Sequence, residues 1–282
     1  MKDLASITGV KKTIDEFELG PIDLTIEPGT ITALIGNNGS GKSTILKLMM
    51  HLAKADQGSI QIFDTSVGGQ DESWKNHISY QPQTVVGWNA FTGKTLKSFI
   101  APLYPDWDEN LFNQMAEALN IPLNKRFGKL SQGVQQKLNL ALTLPRNTPI
   151  LLLDEPTASI DIPSKKIIID LLTDWMDQGE RAIVMASHQS EDIMKLADYL
   201  SVLKNGKMVG TFEKETLKES HTRYWMKDEL PAAAVPGEIA REQQMIISND
   251  PEAAEKYFSE NNLICMDAAK LDLDEIIAIL LS

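Results

Sequence analysis

The sequence predicts an α/β fold built on a parallel sheet, and three observations predict it. Apolar strands run from Ile31 to Ile35, Ile150 to Leu153 and Ala182 to Ala186, the second of them without a break, the pattern of strands covered on both faces. Segments of helical spacing alternate with them, as in a sheet built from strand–helix–strand units. A glycine-rich turn joins the first of these strands to a helical pattern beginning at Lys42.

Residues 3–35 read as short strands. Phe17, Leu19, Ile22, Leu24 and Ile26 lead to a turn at Pro28-Gly29, before Ile31 to Ile35. After Lys42, Ile45, Leu46, Leu48, Met49 and Leu52 recur at helical spacing, and Gly58 to Phe63 returns to strand. Residues 106–145 read as mostly helical, broken at Pro122 and around Gly128. A helix is expected near Pro163 to Gln178 and another from Glu191 to Asp198. Asn205-Gly206, between apolar stretches in Leu200 to Phe212, signals a hairpin. Leu230 to Gly237 reads as linker. A strand at Met245 to Ile247, a helix opening near Pro251 and an amphipathic helix at Leu273 to Leu281 form a small α+β tail. The expected organisation is a main domain at 1–220 with a helical subdomain about 88–145, a linker at 221–240 and an accessory unit at 241–282. The apolar side of the last helix reads as a packing face, with dimerisation or regulation as alternatives.

Composition narrows the function. A net charge of −12 argues against nucleic acid as a partner, because binding it needs a dense basic face. One cysteine, Cys265, allows no internal disulfide and no Cys-rich metal site. No apolar run approaches the ~18–20 residues needed to span a bilayer. The expectation is a chain with no covalent membrane anchor that docks on something that does cross.

The glycine-rich turn is Gly36-Asn37-Asn38-Gly39-Ser40-Gly41-Lys42-Ser43-Thr44. It matches the phosphate-loop pattern, with a buried strand before it and a helix after it. Its glycines let the backbone curl so that N–H groups point at phosphate oxygens, and the helix N-terminus adds a favourable dipole. In that setting Lys42 reaches the β- and γ-phosphates, Ser43 offers its hydroxyl to Mg²⁺ and Thr44 adds a phosphate contact. ATP and Mg²⁺ are the expected ligands.

Asp154-Glu155-Pro156 follows the apolar run Ile150 to Leu153. Two carboxylates therefore stand at the carboxyl end of a central strand, where open α/β sheets place ligands. Asp154 would hold Mg²⁺, and Glu155 would orient or deprotonate the attacking water.

With these motifs in order, residues 3–215 resemble the nucleotide-binding subunits of ABC transporters, which implies a RecA-like parallel core, an antiparallel β subdomain and a helical subdomain. Tyr80-Gln81-Pro82-Gln83 resembles the family's Q-loop, which implies a metal- and water-sensing role for Gln83. Leu130 to Lys137, LSQGVQQK, resembles the signature LSGGQ. That likeness implies that Ser131, Gln132 and Gly133 meet the ATP bound to the opposite subunit, Ser131 and Gly133 at its γ-phosphate. Ala158 to Asp161 resembles the D-loop, and Ser187-His188 the switch histidine. Gln132 and Val134 replace the second and fifth signature residues. This variant, with Leu103 to Asp108, LYPDWD, resembles exporters of bacterial resistance and peptide-efflux systems. Where the family places an aromatic residue to stack on adenine, Ile14 stands here, and Phe17 is the nearest aromatic.

The resemblance implies an ATPase that works as a dimer, homomeric or heteromeric, two subunits sandwiching two ATP molecules and driving membrane-spanning permease subunits. It places the chain in the cytoplasm, peripheral on the inner face of the membrane. Two other readings stand beside it: a soluble ABC-type ATPase uncoupled from transport, and a non-hydrolysing regulatory subunit.

Overall fold

The computed structural model describes residues 2–228, 230 and 233–282. The chain divides into two compact units, Met1–Thr211 and Phe212–Ser282.

In the first unit, β1 (Ala5–Ile14) and β2 (Phe17–Ile26) form an antiparallel pair. β3 (Thr30–Ile35) is buried beyond its first residue. The phosphate-loop segment follows, then α1 (Lys42–Met49). α1 buries Ile45, Leu46, Leu48 and Met49. The expected fifth apolar position, Leu52, lies beyond the helix and is exposed. His51 takes a left-handed φ of 52° there, and that conformation ends a helix. β4 (Gln57–Ile62) and the short β5 (Thr65–Ser66) complete a four-stranded antiparallel sheet in the order β2-β1-β4-β5.

β6 (Ile78–Gln81) is wholly buried. Three helices follow: α2 (Gly93–Ile100), α3 (Glu109–Ala118) and α4 (Gln132–Thr143). Thr92 caps α2 through Thr95 N–H, and Asp108 caps α3 through Leu111 N–H, satisfying donors that a helix start leaves open. β7 (Ile150–Asp154), α5 (Ile162–Met176), β8 (Ala182–Ala186), α6 (Ser190–Leu196), β9 (Tyr199–Lys204) and β10 (Lys207–Glu213) complete the unit's elements. β9 and β10 turn at Asn205 (φ 48°) and Gly206 (φ 80°), the paired positive φ values of a tight hairpin.

The main sheet runs β10-β9-β3-β8-β7-β6, with β9, β3, β8, β7 and β6 parallel. Every residue of β7 and β8 is buried. Each Leu or Ile removed from water there contributes about 1.5–3 kcal/mol. Register fixes what emerges at the carboxyl edge. Leu34 and Asp154 both lie level with Ala186, and Gln81 lies level with Leu153. The segments after β3, β6, β7 and β8 therefore leave the sheet side by side, at the edge where open parallel sheets bind ligands.

The second unit holds α7 (Lys214–Ser220), β11 (Thr222–Met226), β12 (Glu238–Glu242), β13 (Met245–Ser248), α8 (Pro251–Glu260), β14 (Cys265–Lys270) and α9 (Leu273–Leu281). Its antiparallel sheet runs β12-β13-β11-β14. Tyr224, Met226, Val235, Ile246, Ala254 and Phe258 form its core. The segment 221–240, expected to be a linker, contains β11 and begins β12. Burial alternates along Thr222 to Met226, as in a strand with one face on a core, and Tyr224 and Met226 enter that core. Glu229, Pro231 and Ala232 of that segment lie outside the described residues. Asp272 and Glu275 close a reciprocal capping box on α9.

Candidate functional site

The segment after β3 makes a close turn held by its own backbone. Ser40 N–H donates to the carbonyl of Asn37 at 3.0 Å. A Cβ at Gly36 would stand 2.3 Å from the Leu203 carbonyl oxygen, so this position admits glycine alone without moving β9. Gly41, at the N-cap of α1, has a φ of 107° and no side chain to cap the helix. The first-turn N–H groups of α1 are consequently left for a ligand.

Lys42 is buried, and its ammonium donates to the carbonyls of Gly36 at 2.7 Å and Asn37 at 3.2 Å. Burial pushes its pKa down, opposed by the nearby carboxylates of Glu155 and Asp154. Ser43 Oγ donates to Asp154 Oδ1 at 2.9 Å, joining the start of α1 to the end of β7. Burial raises the Asp154 pKa, against the donations from Ser43 and Tyr80.

Glu155 follows with a φ of 52°, strain that a non-glycine residue sustains at functional turns. Its N–H donates to the Ala186 carbonyl at 2.9 Å. His188 Nδ1 lies 2.8 Å from Glu155 Oε1. The imidazole is mostly exposed, whereas the carboxylate is buried, and Glu155 Oε2 has no hydrogen-bond partner. A second link joins these segments, from the Thr157 hydroxyl to the buried Asp192 carboxylate in α6.

A cleft of about 730 Å³ is lined by Asn38 to Thr44 together with Phe17, Gln83, Glu155 and His188. Most residues singled out in the sequence thus meet at one place. The buried Ser40 hydroxyl and Glu155 Oε2, both unpartnered, lie in this group. The hydroxyl of Ser43, the carboxylate of Asp154 and the amide oxygen of Gln83 are the hard oxygen donors that Mg²⁺ takes. Those residues fit a phosphate-bound metal. Phe17 stands beside the loop at the cleft, whereas Ile14 does not line it.

Ser131, Gln132, Gly133 and Asp161 do not line this cleft. Ser131 is the N-cap of α4, yet its side chain makes no cap hydrogen bond and is exposed. Gly133 lies against the loop before α5: a Cβ there would stand 2.4 Å from the Ser159 carbonyl oxygen. One turn on, Lys137 donates to Asp161 Oδ2 at 2.7 Å, while Asp161 Oδ1 caps α5 through Ser164 N–H at 2.9 Å. Lys137, through its hydrogen bond, holds the Asp161 carboxyl far below the usual carboxylate range.

The chain is similar to proteins of known family. A family model described as "ABC transporter" matches residues 19–158. "ABC transporter ATP-binding protein YtrB" of Bacillus subtilis (strain 168) is 31% identical over 218 residues, covering 77% of this chain and 74% of that protein.

The chain belongs to the ABC transporter ATP-binding proteins.

A second relative, "Ribose import ATP-binding protein RbsA" of Streptococcus agalactiae (serotype III, strain NEM316), is 30% identical over 228 residues. The match covers 76% of this chain and 44% of that protein, so the chain spans under half of it. A solved structure titled "Structure of ATP binding subunit of ABC transporter" superposes with a TM-score of 0.69 at 20% identity, covering 77% of this chain and 92% of that one. The fold is the ABC ATPase phosphate-loop fold. Among the described residues no helix is long and apolar enough to cross a membrane.

Several site contacts were not legible in the sequence. Gln136 Nε2 donates to the Gln83 carbonyl at 2.5 Å, and Asn139 Nδ2 donates to the Pro82 carbonyl at 2.9 Å. Gln81 Nε2 donates to Gln136 Oε1 at 3.2 Å. The helix that begins at the signature therefore holds the backbone of the loop carrying Gln83. Polar residues inside an otherwise apolar helical pattern were the available signal. LYPDWD braces the helices: Tyr104 stacks on Arg146 at 5.1 Å, its hydroxyl accepts from Nη1 at 3.2 Å, and Asp108 caps α3.

Proposed function

We propose that this ABC transporter ATP-binding subunit hydrolyses ATP, working as a dimer that closes on two ATP molecules and drives membrane-spanning permease subunits. The observation that carries this reading is the shared cleft, where Asn38 to Thr44 of the phosphate loop, Gln83, Glu155 and His188 line one space.

In this reading the N–H groups of the Gly36–Thr44 loop and the start of α1 bind the phosphates, and Lys42 exchanges its loop carbonyls for phosphate oxygens. Phe17 contacts the base. Ser43, Gln83 and Asp154 would hold Mg²⁺, which would supply positive charge against the charge developing on the phosphate. Glu155 Oε1 is occupied by His188, so Oε2, buried and without a partner, is the acceptor left for the attacking water. His188 keeps that carboxylate in place and, being exposed, reaches the γ-phosphate. Ser131, Gln132 and Gly133 lie outside the cleft, which supports their use in trans: the exposed start of α4 meets the ATP of the opposite subunit, and Asp161 ties it to the loop after Glu155.

Association with permease subunits places the chain peripherally on the cytoplasmic face of the membrane. The variant signature and LYPDWD support export, of peptides, antibiotics or similar compounds. A relative named for ribose import matches at similar identity, so direction is read from transport itself.

The test has two parts. Calorimetry should show ATP binding to the purified chain, weakened at least about tenfold by Lys42→Ala, or ~1.4 kcal/mol. Affinity purification from detergent-solubilised native membranes should recover a polytopic membrane protein. Unchanged ATP affinity in the variant sinks the phosphate-loop assignment. Recovery of the chain with no membrane protein sinks the transport assignment.

A further inference from the structure

Tyr80 is a buried side chain, 7% exposed, at the penultimate position of β6. Its ring packs in the main core with Ile78, Ile150 and Leu152. It lies level with Leu152 in the parallel pairing, and its hydroxyl reaches along β7 to Asp154 Oδ2 at 3.3 Å. Asp154 is 3% exposed, and its other oxygen accepts from Ser43 Oγ at 2.9 Å. Each oxygen of this buried carboxylate thus receives one hydroxyl donor. A buried carboxylate oxygen left without its donor carries a desolvation penalty, which a turn of the group toward other donors would relieve.

We propose that Tyr80 is a positioning residue for Mg²⁺: its hydroxyl donates to Asp154 Oδ2 and thereby keeps Oδ1 on Ser43 Oγ, in the orientation the metal requires. The proposal rests on the reading that Ser43 and Asp154 hold Mg²⁺. Magnesium tolerates little departure from octahedral geometry. Groups that orient metal ligands from behind are worth about 10–100-fold in metal affinity. The geometry is specific to the hydroxyl, because the ring serves the core and phenylalanine fills the same volume.

The test is Tyr80→Phe, read by binding of the fluorescent analogue TNP-ATP while Mg²⁺ is titrated, with a parallel measurement in EDTA. The half-saturating Mg²⁺ concentration should rise about tenfold, while affinity in EDTA stays within about twofold of wild type. Asp154→Asn is the control. If it raises the Mg²⁺ requirement and Tyr80→Phe does not, the role of Tyr80 is overturned and the metal reading stands. If neither variant shifts the requirement, the metal reading falls and takes the proposal with it. Equal weakening by Tyr80→Phe with and without Mg²⁺ identifies a merely structural residue and also overturns it.

Discussion

His188 Nδ1 stands 2.8 Å from Glu155 Oε1, so the residues that follow two neighbouring parallel strands meet beside the phosphate loop. The imidazole holds one carboxylate oxygen and leaves the other buried and free to accept. His188→Ala should lower kcat by about 10²–10⁴-fold, the range of a positioned acid–base group, with a much smaller change in KM. Steady-state phosphate release checks it. Turnover within twofold of wild type would remove His188 from the machinery.

Gly133 meets the Ser159 carbonyl where no Cβ fits. Gly133→Ala must push apart the start of α4 and the loop before α5, and overpacking of this kind costs about 1–3 kcal/mol. Thermal unfolding should show that loss, and ATPase activity should fall further than stability because the same segment serves the opposite site. An unchanged melting temperature would mean that the two segments are not in contact.

Glu238 in the second unit accepts from Arg241 Nε and Nη2, both at 2.6 Å, and from Val235 N–H at 2.8 Å. The Arg241 hydrogen bonds come first in holding its pKa below the ordinary 4.5. A depressed carboxyl pKa stabilises the folded state fully above the unfolded value, and that contribution is lost as pH falls through the folded value. Glu238→Gln should therefore destabilise the second unit by about 1 kcal/mol at pH 7. The difference from wild type should shrink as pH drops below 4.5. Urea unfolding at a series of pH values measures it, and a difference that grows on acidification would contradict the assignment.

Much of this was legible in the sequence. Apolar runs such as Ile150 to Leu153 need both faces covered, and that requirement placed them in a parallel sheet. The phosphate loop was legible because its chemistry depends on contiguous residues. Contacts between distant residues were not. Lys137 and Asp161 meet because α4 lies against the loop before α5, and Tyr80 meets Asp154 because β6 and β7 are in register. Neither pairing leaves a periodic trace. Thr222 to Met226 carries no polar–apolar alternation in its residue types and stands near a run of prolines and alanines, whereas the core around Tyr224 and Phe258 makes it a strand.

Mass by multi-angle light scattering on Glu155→Gln, with ATP and Mg²⁺, bears most directly on the two-subunit ATP sandwich. The amide keeps the side-chain shape and cannot take the proton of the attacking water, so nucleotide should persist and hold two copies together. Glu155→Gln should show a doubled mass with ATP that returns to the monomer mass when ATP is replaced by ADP. A monomer at saturating ATP, in a variant shown by calorimetry to bind it, would rule out the ATP sandwich.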